Sequence, residues 1–283
     1  MIRAAVLGQD VSRSRSPQIH NAGFLAMGIA GNYEAFSVTK QDFRRRVKEL
    51  VEQGFTYVNV TIPHKHTAAA MATRRTPAVE MTGAANTLVF RRSKNGAVEI
   101  VADNTDGQGL IDAMADIGVK VNRACTVILV GSGGAAAGAL LALVKKGVKV
   151  VLLSRRPGPA RALKNRLPEK WRERVQLAAL DASSLTEQLP QADLLISAVP
   201  ASAWENPSLR LSLKWLTKSS AVIEMAYGTR SPLSLAIRKQ TPRYQDGIPM
   251  LVHQAAHAIK FALRKQPPSE PMFRAARVPD MHV

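Results

Sequence analysis

A glycine-rich segment in the middle of the chain has the spacing of a dinucleotide-binding turn. Residues 131–136 read Gly-Ser-Gly-Gly-Ala-Ala, which fits the pattern G-x-G-x-x-A between a predicted strand at 126–130 and a predicted helix at 135–146. The first glycine permits a tight turn, the second lets the backbone approach a pyrophosphate, and the helix N-terminus supplies amide donors to phosphates. A tight turn without a ligand is the alternative. We expect the cofactor to lie against Gly131, Ser132, Gly133, Gly134 and Ala135.

The residues that follow the next predicted strand indicate which dinucleotide binds. An NAD site places an acidic residue about 20 residues beyond the glycines, where it accepts hydrogen bonds from a ribose hydroxyl. This chain has Ser154, Arg155 and Arg156 at that place, with Arg161 nearby. Guanidinium groups match a phosphate better than a neutral diol. The sequence therefore predicts NADP as the cofactor, with an exposed basic turn as the alternative.

Polar residues also lie where the surrounding pattern predicts burial. The segment 59–65, Asn-Val-Thr-Ile-Pro-His-Lys, follows a predicted strand, Asn86 precedes another, and Asn-Thr-Asp-Gly at 104–107 lies where the two halves of the chain meet. Gln254 lies on an apolar stripe of a helix predicted over 250–263, and a buried amide must find a partner or a ligand. Because ligands bind at the carboxyl ends of strands in open α/β sheets, we expect these side chains to line a binding site.

Each of these residues also has a structural explanation when it is taken alone. Ser16 precedes Pro17, and a serine N-cap with proline at the first helical position is typical of a helix start. A lone lysine is usually solvated, and asparagine and aspartate are common in turns. His253 and His257 have the i, i+4 spacing of metal ligands, but no acidic ligand is near them, so we expect no metal.

The composition indicates a folded protein from a reducing compartment. The chain has 283 residues, 46% hydrophobic and 21% charged, which is enough for two domains with cores of their own. The single cysteine, Cys125, excludes an internal disulfide, and no signal-peptide pattern follows Met1, so we expect a cytoplasmic protein. The uncharged stretch 126–144 has the length of a membrane span, but its glycines favour a strand, a turn and a helix. We therefore expect no membrane association.

The formal net charge of +18 predicts attraction to anions. The basic residues are scattered, with short clusters at 44–46, 74–75 and 155–156, and aromatic residues make up only 5% of the chain. Nucleic-acid binding surfaces place aromatic side chains among such clusters, where bases can stack on them. The pattern therefore favours small phosphate and carboxylate ligands, and we expect no nucleic-acid partner.

Predicted strands and helices alternate along the chain, which is typical of α/β layers with mostly parallel sheets. In the first half, the pattern predicts strands at 3–7, 33–38 and 56–60 and helices at 16–27 and 41–53. Lys94-Asn95-Gly96 is a hairpin signal between strands at 87–90 and 97–102. A second unit begins near Thr126, with further strands at 148–153 and near 193–197 and 221–225.

Six motifs appear in an order that carries a family resemblance. They are Ser-Arg-Ser-Pro at 14–17 with His-Asn at 20–21, the segment 59–65, Gly-Ala-Ala-Asn-Thr at 83–87, Asp-Asn-Thr-Asp-Gly at 103–107, Asp-Gly at 246–247, and Met-Leu-Val-His-Gln-Ala-Ala at 250–256. With these motifs the chain resembles the shikimate dehydrogenase family over nearly its full length. The resemblance implies an N-terminal α/β substrate domain, residues 1–106 completed by 247–283, a Rossmann-like doubly wound NADP domain over 107–246, and a cleft between them.

The resemblance also implies a reaction and a role for each site residue. The reaction is the reversible NADP-linked oxidation of shikimate to 3-dehydroshikimate, a step of aromatic amino-acid biosynthesis. Lys65 and Asp106 would be the catalytic pair, in which a neutral lysine takes the hydroxyl proton and the aspartate orients it. The substrate's carboxylate and hydroxyls would bind Ser14, Ser16, Thr61, Asn86, Tyr227 and Gln254. Besides the glycine turn, the cofactor would contact Ser154, Arg155, Arg156, Ala198, Met225 and Gly247.

Departures from the family pattern leave two alternatives open. Arg13 stands where a histidine usually precedes the first motif, and Val199, Pro200, Gly228 and Pro249 replace residues that are common on the cofactor side. The alternatives are a dehydrogenase for quinate or another ring acid, and a catalytically weak NADP-binding relative. In each case the partner is a small molecule, and a homodimer stays open.

Overall fold

The computed structural model divides the chain into two compact units. The first is Met1–Gly109 with Leu251–Val283, and the second is Leu110–Met250. The described residues are 1–93, 96–217, 220–228, 231–237 and 243–277. Two residues of the predicted hairpin turn, Lys94 and Asn95, lie outside them. Within the described residues, no helix has both the length and the apolar character that a membrane span needs.

The first unit contains a six-stranded sheet and the helices that connect its strands. Its strands are β1 (Ile2–Gly8), β2 (Gly31–Ser37), β3 (Tyr57–Val60), β4 (Arg74–Arg75), β5 (Thr87–Arg92) and β6 (Val98–Asp103). Its first four helices are α1 (Ser16–Ala26), α2 (Phe43–Glu52), α3 (Lys65–Met71) and α4 (Pro77–Thr82), and α5 (Asp106–Asp116) begins in this unit. The core consists of buried aliphatic and phenylalanine side chains from the sheet and from α2 to α4, such as Leu7, Phe43 and Leu88.

The strand order of this sheet, β2-β1-β3-β5-β6-β4, brings several polar segments to one edge. β1 and β3 are parallel neighbours, and β5 runs antiparallel to β3, so β5 begins where β3 ends. β6 is antiparallel to β5 and pairs Asp103 with Thr87. The residues after β3, before β5 and after β6 therefore meet at the same end of the sheet, which is where Lys65, Asn86 and Asp106 stand.

The second unit is a parallel sheet with helices between its strands. Its strands are β7 (Thr126–Val130), β8 (Lys149–Ser154), β9 (Val175–Ala179), β10 (Leu194–Ser197), β11 (Ala221–Glu224) and β12 (Tyr244–Gln245). Its helices are α6 (Gly134–Lys145), α7 (Pro157–Arg166), α8 (Glu169–Arg172), α9 (Ala182–Gln188), α10 (Pro207–Ser212) and α11 (Pro232–Ile237). Two helices follow in the chain, α12 (Gly247–Leu263) and α13 (Ser269–Arg277). Strands β7, β8, β10 and β11 are short and largely buried, which explains their continuous runs of Val, Ile and Leu.

In the strand order β12-β11-β10-β7-β8-β9, the chain adds β8 and β9 on one side of β7 and then β10 to β12 on the other side. The order in which strands are added therefore reverses between β7 and β10. All described pairs of this sheet are parallel. Doubly wound sheets bind ligands outside the carboxyl ends of the strands that flank such a reversal. The prediction of a Rossmann-like, doubly wound α/β unit beside a second α/β unit is confirmed.

The first helix corrects one prediction. Serine was expected at the N-cap and proline at the first helical position, but α1 begins at Ser16 itself, and Arg15 is the N-cap residue without a side-chain capping bond. The hydroxyl of Ser14 accepts a hydrogen bond from the Ser16 N–H at 3.2 Å. The Ser14 hydroxyl thus satisfies the amide of Ser16, the first helical residue, and Pro17 occupies the second helical position.

Candidate active site

A buried ion pair is the central feature of the polar edge of the first unit. Lys65 is the first residue of α3, and its Nζ donates a hydrogen bond to Oδ2 of Asp106, the first residue of α5. The two side chains are 11% and 6% exposed, so water screens this pair little. A carboxylate at the start of a helix is also favoured by the helix dipole. This geometry can hold the Lys65 nitrogen in a fixed place, where it can serve as a base or an acid in proton transfer.

Asn86 joins this ion pair to the rest of the edge. Its Nδ2 lies 2.8 Å from Oδ1 of Asp106 and 3.1 Å from Oε1 of Gln254. Its Oδ1 accepts the N–H of Thr105 at 2.9 Å, and because a backbone N–H can only donate, this bond fixes the orientation of the amide. The predicted residues Lys65, Asp106, Asn86 and Gln254 are therefore in one buried hydrogen-bonded cluster.

Side-chain hydrogen bonds to the backbone and one close glycine contact hold the segment around the start of α5. Thr105 Oγ1 donates to the backbone oxygen of Gln254 at 3.0 Å, and Asn104 Nδ2 donates to the backbone oxygen of Ala84 at 2.9 Å. A Cβ placed on Gly109 would lie 2.7 Å from Cβ of Gln254, so only glycine allows α5 and α12 to approach this closely. These contacts place Asp106 and Gln254 without any ligand.

The other predicted substrate residues of the first unit lie after β1 and β3. Thr61 follows β3, where its N–H donates to the backbone oxygen of Leu7 at 2.9 Å. Its methyl group packs so closely on Gly8, the last residue of β1, that an added Cβ there would lie 2.5 Å away. Ser14 is half-buried and Ser16 is buried. Tyr227, the sixth predicted substrate residue, is half-buried in the second unit after β11.

The predicted nucleotide turn lies at the carboxyl end of β7. Gly131 has φ +117°, and an added Cβ would lie 2.8 Å from the backbone oxygen of Ala198, which follows β10. A Cβ on Gly133 would have open space around it. The hydroxyl of Ser132 lies 2.8 Å from that of Ser154, so the glycine turn is tied to the end of β8. The turn has the open backbone face that a pyrophosphate requires, and the twelve-residue helix α6 begins at Gly134.

A cavity of about 470 Å³ opens beside the end of β8. Ser154, Arg155 and Arg161 supply its polar lining, and α7 and the segment 177–180 supply its apolar lining. Arg156 was predicted beside Arg155, but its side chain is not part of this lining, and its N–H donates to Oγ of Ser154 at 3.2 Å. The cavity thus combines an apolar wall, which suits an adenine, with two guanidinium groups, which suit a phosphate.

The remaining predicted cofactor residues follow β10 and β11. Ala198 N donates to the backbone oxygen of Val130 at 2.8 Å, and Met225 N donates to that of Ser197 at 2.9 Å. An added Cβ on Gly247 would lie 2.2 Å from the backbone oxygen of Met225, which excludes any side chain there. The loops that contain Ala198, Met225 and Gly247 therefore lie next to one another at the carboxyl edge of the second sheet.

Buried polar contacts hold these two loops. Trp204 Nε1 donates to Oγ of Ser197 at 2.9 Å. The hydroxyls of Ser231 and Tyr244 both donate to Oε2 of Glu224, the last residue of β11, and the Tyr244 distance is 2.9 Å. Burial and the neighbouring Glu224 carboxylate raise the pKa of Tyr244 above its ordinary value, so its hydroxyl stays a donor. The departures at Val199, Pro200 and Gly228 lie in these loops after β10 and β11.

Comparison with known proteins agrees with both units. The family model of the shikimate dehydrogenase substrate binding domain matches residues 6–88, and the model of the alanine dehydrogenase/PNT C-terminal domain matches residues 97–230. The shikimate dehydrogenase (NADP⁺) of Methanocella arvoryzae is 32% identical over 274 residues, which is 96% of this chain and 97% of that protein. This chain belongs to the shikimate dehydrogenase family.

Two solved structures extend the likeness to the whole fold. An enzyme called Ael1 from Pseudomonas putida is 30% identical, with a TM-score of 0.82 over 99% of both chains. Shikimate 5-dehydrogenase from Thermus thermophilus, solved with NADP(H) and shikimate, is 26% identical, with a TM-score of 0.78 over 98% of this chain and 99% of that one. The architecture of this family member is therefore that of both solved enzymes.

Arg161, which the sequence analysis placed near the basic turn, lines the cavity beside Ser154. The structure also brings in a residue to which the sequence had assigned no role. Tyr33 donates its hydroxyl to Oδ1 of Asn59 at 2.8 Å, within reach of the cluster around Asn86. One signal was present: Asn59 is a polar residue in the middle of a strand that is buried throughout, and such a residue needs buried partners.

Proposed function

We propose that this chain is an NADP-dependent oxidoreductase that reversibly converts shikimate to 3-dehydroshikimate. The observation that carries the proposal is the buried Lys65–Asp106 pair, whose carboxylate accepts a hydrogen bond from Asn86, which also donates to Gln254. A triol acid needs many hydrogen-bonding partners, and an edge built from Ser, Thr, Asn and Gln supplies them. Sites of this kind reject analogues that lack a hydroxyl, because the protein's own polar groups would then be left unpaired.

The residues of the first unit would bind and orient the ring acid. Ser14 and Ser16 are the proposed partners of the carboxylate, and Thr61, Asn86 and Gln254 are those of the ring hydroxyls, with Tyr227 as a further contact. Lys65 takes the proton of the reacting hydroxyl during oxidation and returns it during reduction. Asp106 accepts a hydrogen bond from Lys65 and so fixes the direction of the amine.

The residues of the second unit would hold NADP. The open glycine turn fits the pyrophosphate, and Arg155 with Arg161 fits the phosphate that distinguishes NADP from NAD. The adenine would lie in the cavity beside Ser154, and Ala198, Met225 and Gly247 would contact the nicotinamide end. When it is bound, the cofactor supplies the hydride acceptor for oxidation and the donor for reduction.

Aromatic amino-acid biosynthesis in the cytoplasm is the proposed setting of this reaction, and a homodimer stays a prediction. A substrate panel tests the function: NADPH formation with shikimate and with quinate, each with NADP and with NAD. Shikimate with NADP should give the highest kcat/KM. Preference for quinate would assign the chain to the alternative ring-acid dehydrogenases, and NADP binding without turnover would assign it to the weak relatives.

Replacing Lys65 with alanine tests the catalytic assignment. We expect turnover to fall by at least about 10³-fold, within the range for loss of a proton-transfer group, while the Kd for shikimate changes little. Lys48→Ala is the matched control, because Lys48 is exposed on α2 and lies outside the cluster. A Lys65→Ala enzyme that keeps a rate near that of wild type would show that another group transfers the proton.

A further inference from the structure

A series of buried hydrogen bonds extends the cluster around Asn86 away from Lys65. The Tyr33 hydroxyl lies 2.8 Å from Oδ1 of Asn59, and Nδ2 of Asn59 lies 3.0 Å from Oγ1 of Thr87. Oγ1 of Thr87 lies 3.0 Å from Oδ1 of Asn86, whose Nδ2 reaches Asp106. We call Tyr33, Asn59, Thr87, Asn86 and Asp106 the donor series. It links β2, β3, β5 and α5 within the first unit.

Backbone groups fix the direction of donation at both asparagines. Nδ2 of Asn59 also donates to the backbone oxygen of Asn86 at 3.2 Å, so its Oδ1 must face the Tyr33 hydroxyl and accept from it. Oδ1 of Asn86 accepts the N–H of Thr105, so its Nδ2 must face Asp106. Thr87 accepts from Asn59 and therefore has its own proton free to donate to Asn86. Every bond of the series thus donates toward the carboxylate.

Such an arrangement affects the carboxylate more than a single bond does. Donors that all point the same way polarise one another, and the effect is strongest where water is excluded. All five members are buried, from fully buried Thr87 to Asn59 at 5% and Asp106 at 4% exposure. The negative charge that the series stabilises is the one that holds Lys65.

We infer that Tyr33, Asn59 and Thr87 are positioning residues that orient Asp106, and through it Lys65, for proton transfer. The inference rests on the proposed function, since it concerns the same amine. The donor series reaches Lys65 through Asn86 and Asp106. The effect of the three residues therefore passes through these two side chains, and it should appear in kcat more than in KM, because Asn86 keeps the Thr105 N–H as a second donor.

A neighbouring tyrosine provides a matched control. Tyr57 is fully buried on β3, its ring centre is 6.1 Å from that of Tyr33, and its hydroxyl lies 2.8 Å from Nδ1 of His20 rather than in the donor series. Tyr33→Phe and Tyr57→Phe each remove one buried hydroxyl from the same aromatic group. They should therefore lower the Tm by similar amounts, and they should differ only in catalysis.

The experiment compares steady-state kinetics of the variants with shikimate and NADP. We expect Tyr33→Phe to lower kcat roughly fivefold, the usual effect of one lost hydrogen bond, with KM within about twofold, and Tyr57→Phe to leave kcat within about twofold. Thr87→Val, which keeps the shape and removes the hydroxyl, should lower kcat by roughly tenfold. Thr87→Ser, which restores the hydroxyl but loses the methyl group, should recover most of that rate.

The outcomes separate this inference from the proposed function. An inactive wild-type protein would refute the function, and the inference would fall with it. An active wild-type protein in which Tyr33→Phe and Tyr57→Phe lose equal activity would refute the inference alone, since the loss would then follow stability. Equal kcat for Thr87→Ser and Thr87→Val would refute it as well, because the hydroxyl would then be irrelevant.

Discussion

Replacing both Arg155 and Arg161 with serine tests whether the cavity beside Ser154 binds the NADP phosphate. Both guanidinium groups line this cavity, and its described lining contains no acidic side chain. A hydrogen bond to a charged group contributes about 1.5–3 kcal/mol, and because both arginines are exposed, the lower value applies to each. Loss of both contacts therefore costs about 3 kcal/mol, which is a factor of roughly 150 in the Kd for NADP.

The assay is calorimetric titration of each variant with NADP and with NAD at one ionic strength. NAD lacks the phosphate, so its Kd should change by less than about threefold. Arg156→Ser is the matched control: it removes the same charge from the adjacent position, but its side chain does not line the cavity. Only screened attraction is lost there, so the Kd for NADP should rise about threefold at most. Equal losses for both dinucleotides, or an Arg156→Ser variant as weak as the double variant, would refute the phosphate assignment.

Two glycines and one histidine give further predictions. Gly131→Ala should lower the Tm, because φ is +117° and the methyl group would meet a backbone oxygen at 2.8 Å. Gly133→Ala should keep the Tm and weaken NADP binding in the same titration, because a Cβ there would stand in open space. The reverse pattern would contradict the assigned turn. Burial lowers the pKa of His20 from 6.5 to about 3, so the unfolded chain takes up a proton below pH 6.5 that the folded chain refuses. Stability should therefore fall as the pH drops from about 6.5 to about 3, by about 2 kcal/mol at pH 5. His20→Gln should make the acid loss of Tm shallower, whereas exposed His66→Gln should not; equal slopes would refute this account.

The periodic features of the sequence predicted most of the described strands and the helices α1, α2, α6 and α12. Short runs of Val, Ile and Leu predicted β7, β8, β10 and β11 of the second unit, whereas the less apolar β9 and the two-residue β12 were not predicted. Other differences lie at element ends: α1 begins at Ser16 rather than after it, and α12 begins at Gly247 rather than at Met250. Helix ends depend on which groups satisfy the free N–H donors, and that is decided by neighbouring segments.

The cofactor side was predicted in part. The G-x-G-x-x-A pattern predicted an open turn before a helix, because glycine spacing directly limits the backbone. The sequence predicted Arg155 and Arg156 at the next strand end with Arg161 nearby, and the cavity there is lined by Arg155 and Arg161. Which arginines line the cavity depends on the course of the backbone after β8, where the Ser154 hydroxyl accepts the Arg156 N–H at 3.2 Å.

The sequence alone determined the residue types, the α/β alternation and the glycine turn, because each of these depends on local backbone and side-chain chemistry. The tertiary structure decided which polar groups meet. Lys65 and Asp106 are 41 positions apart, and Asn86 and Gln254 are 168 apart. Only the antiparallel placement of β5 beside β3 and the close packing of α12 at Gly109 bring them together. Hydrogen bonds act over about 3 Å, so a network of this kind exists only after strand order and helix packing have been set.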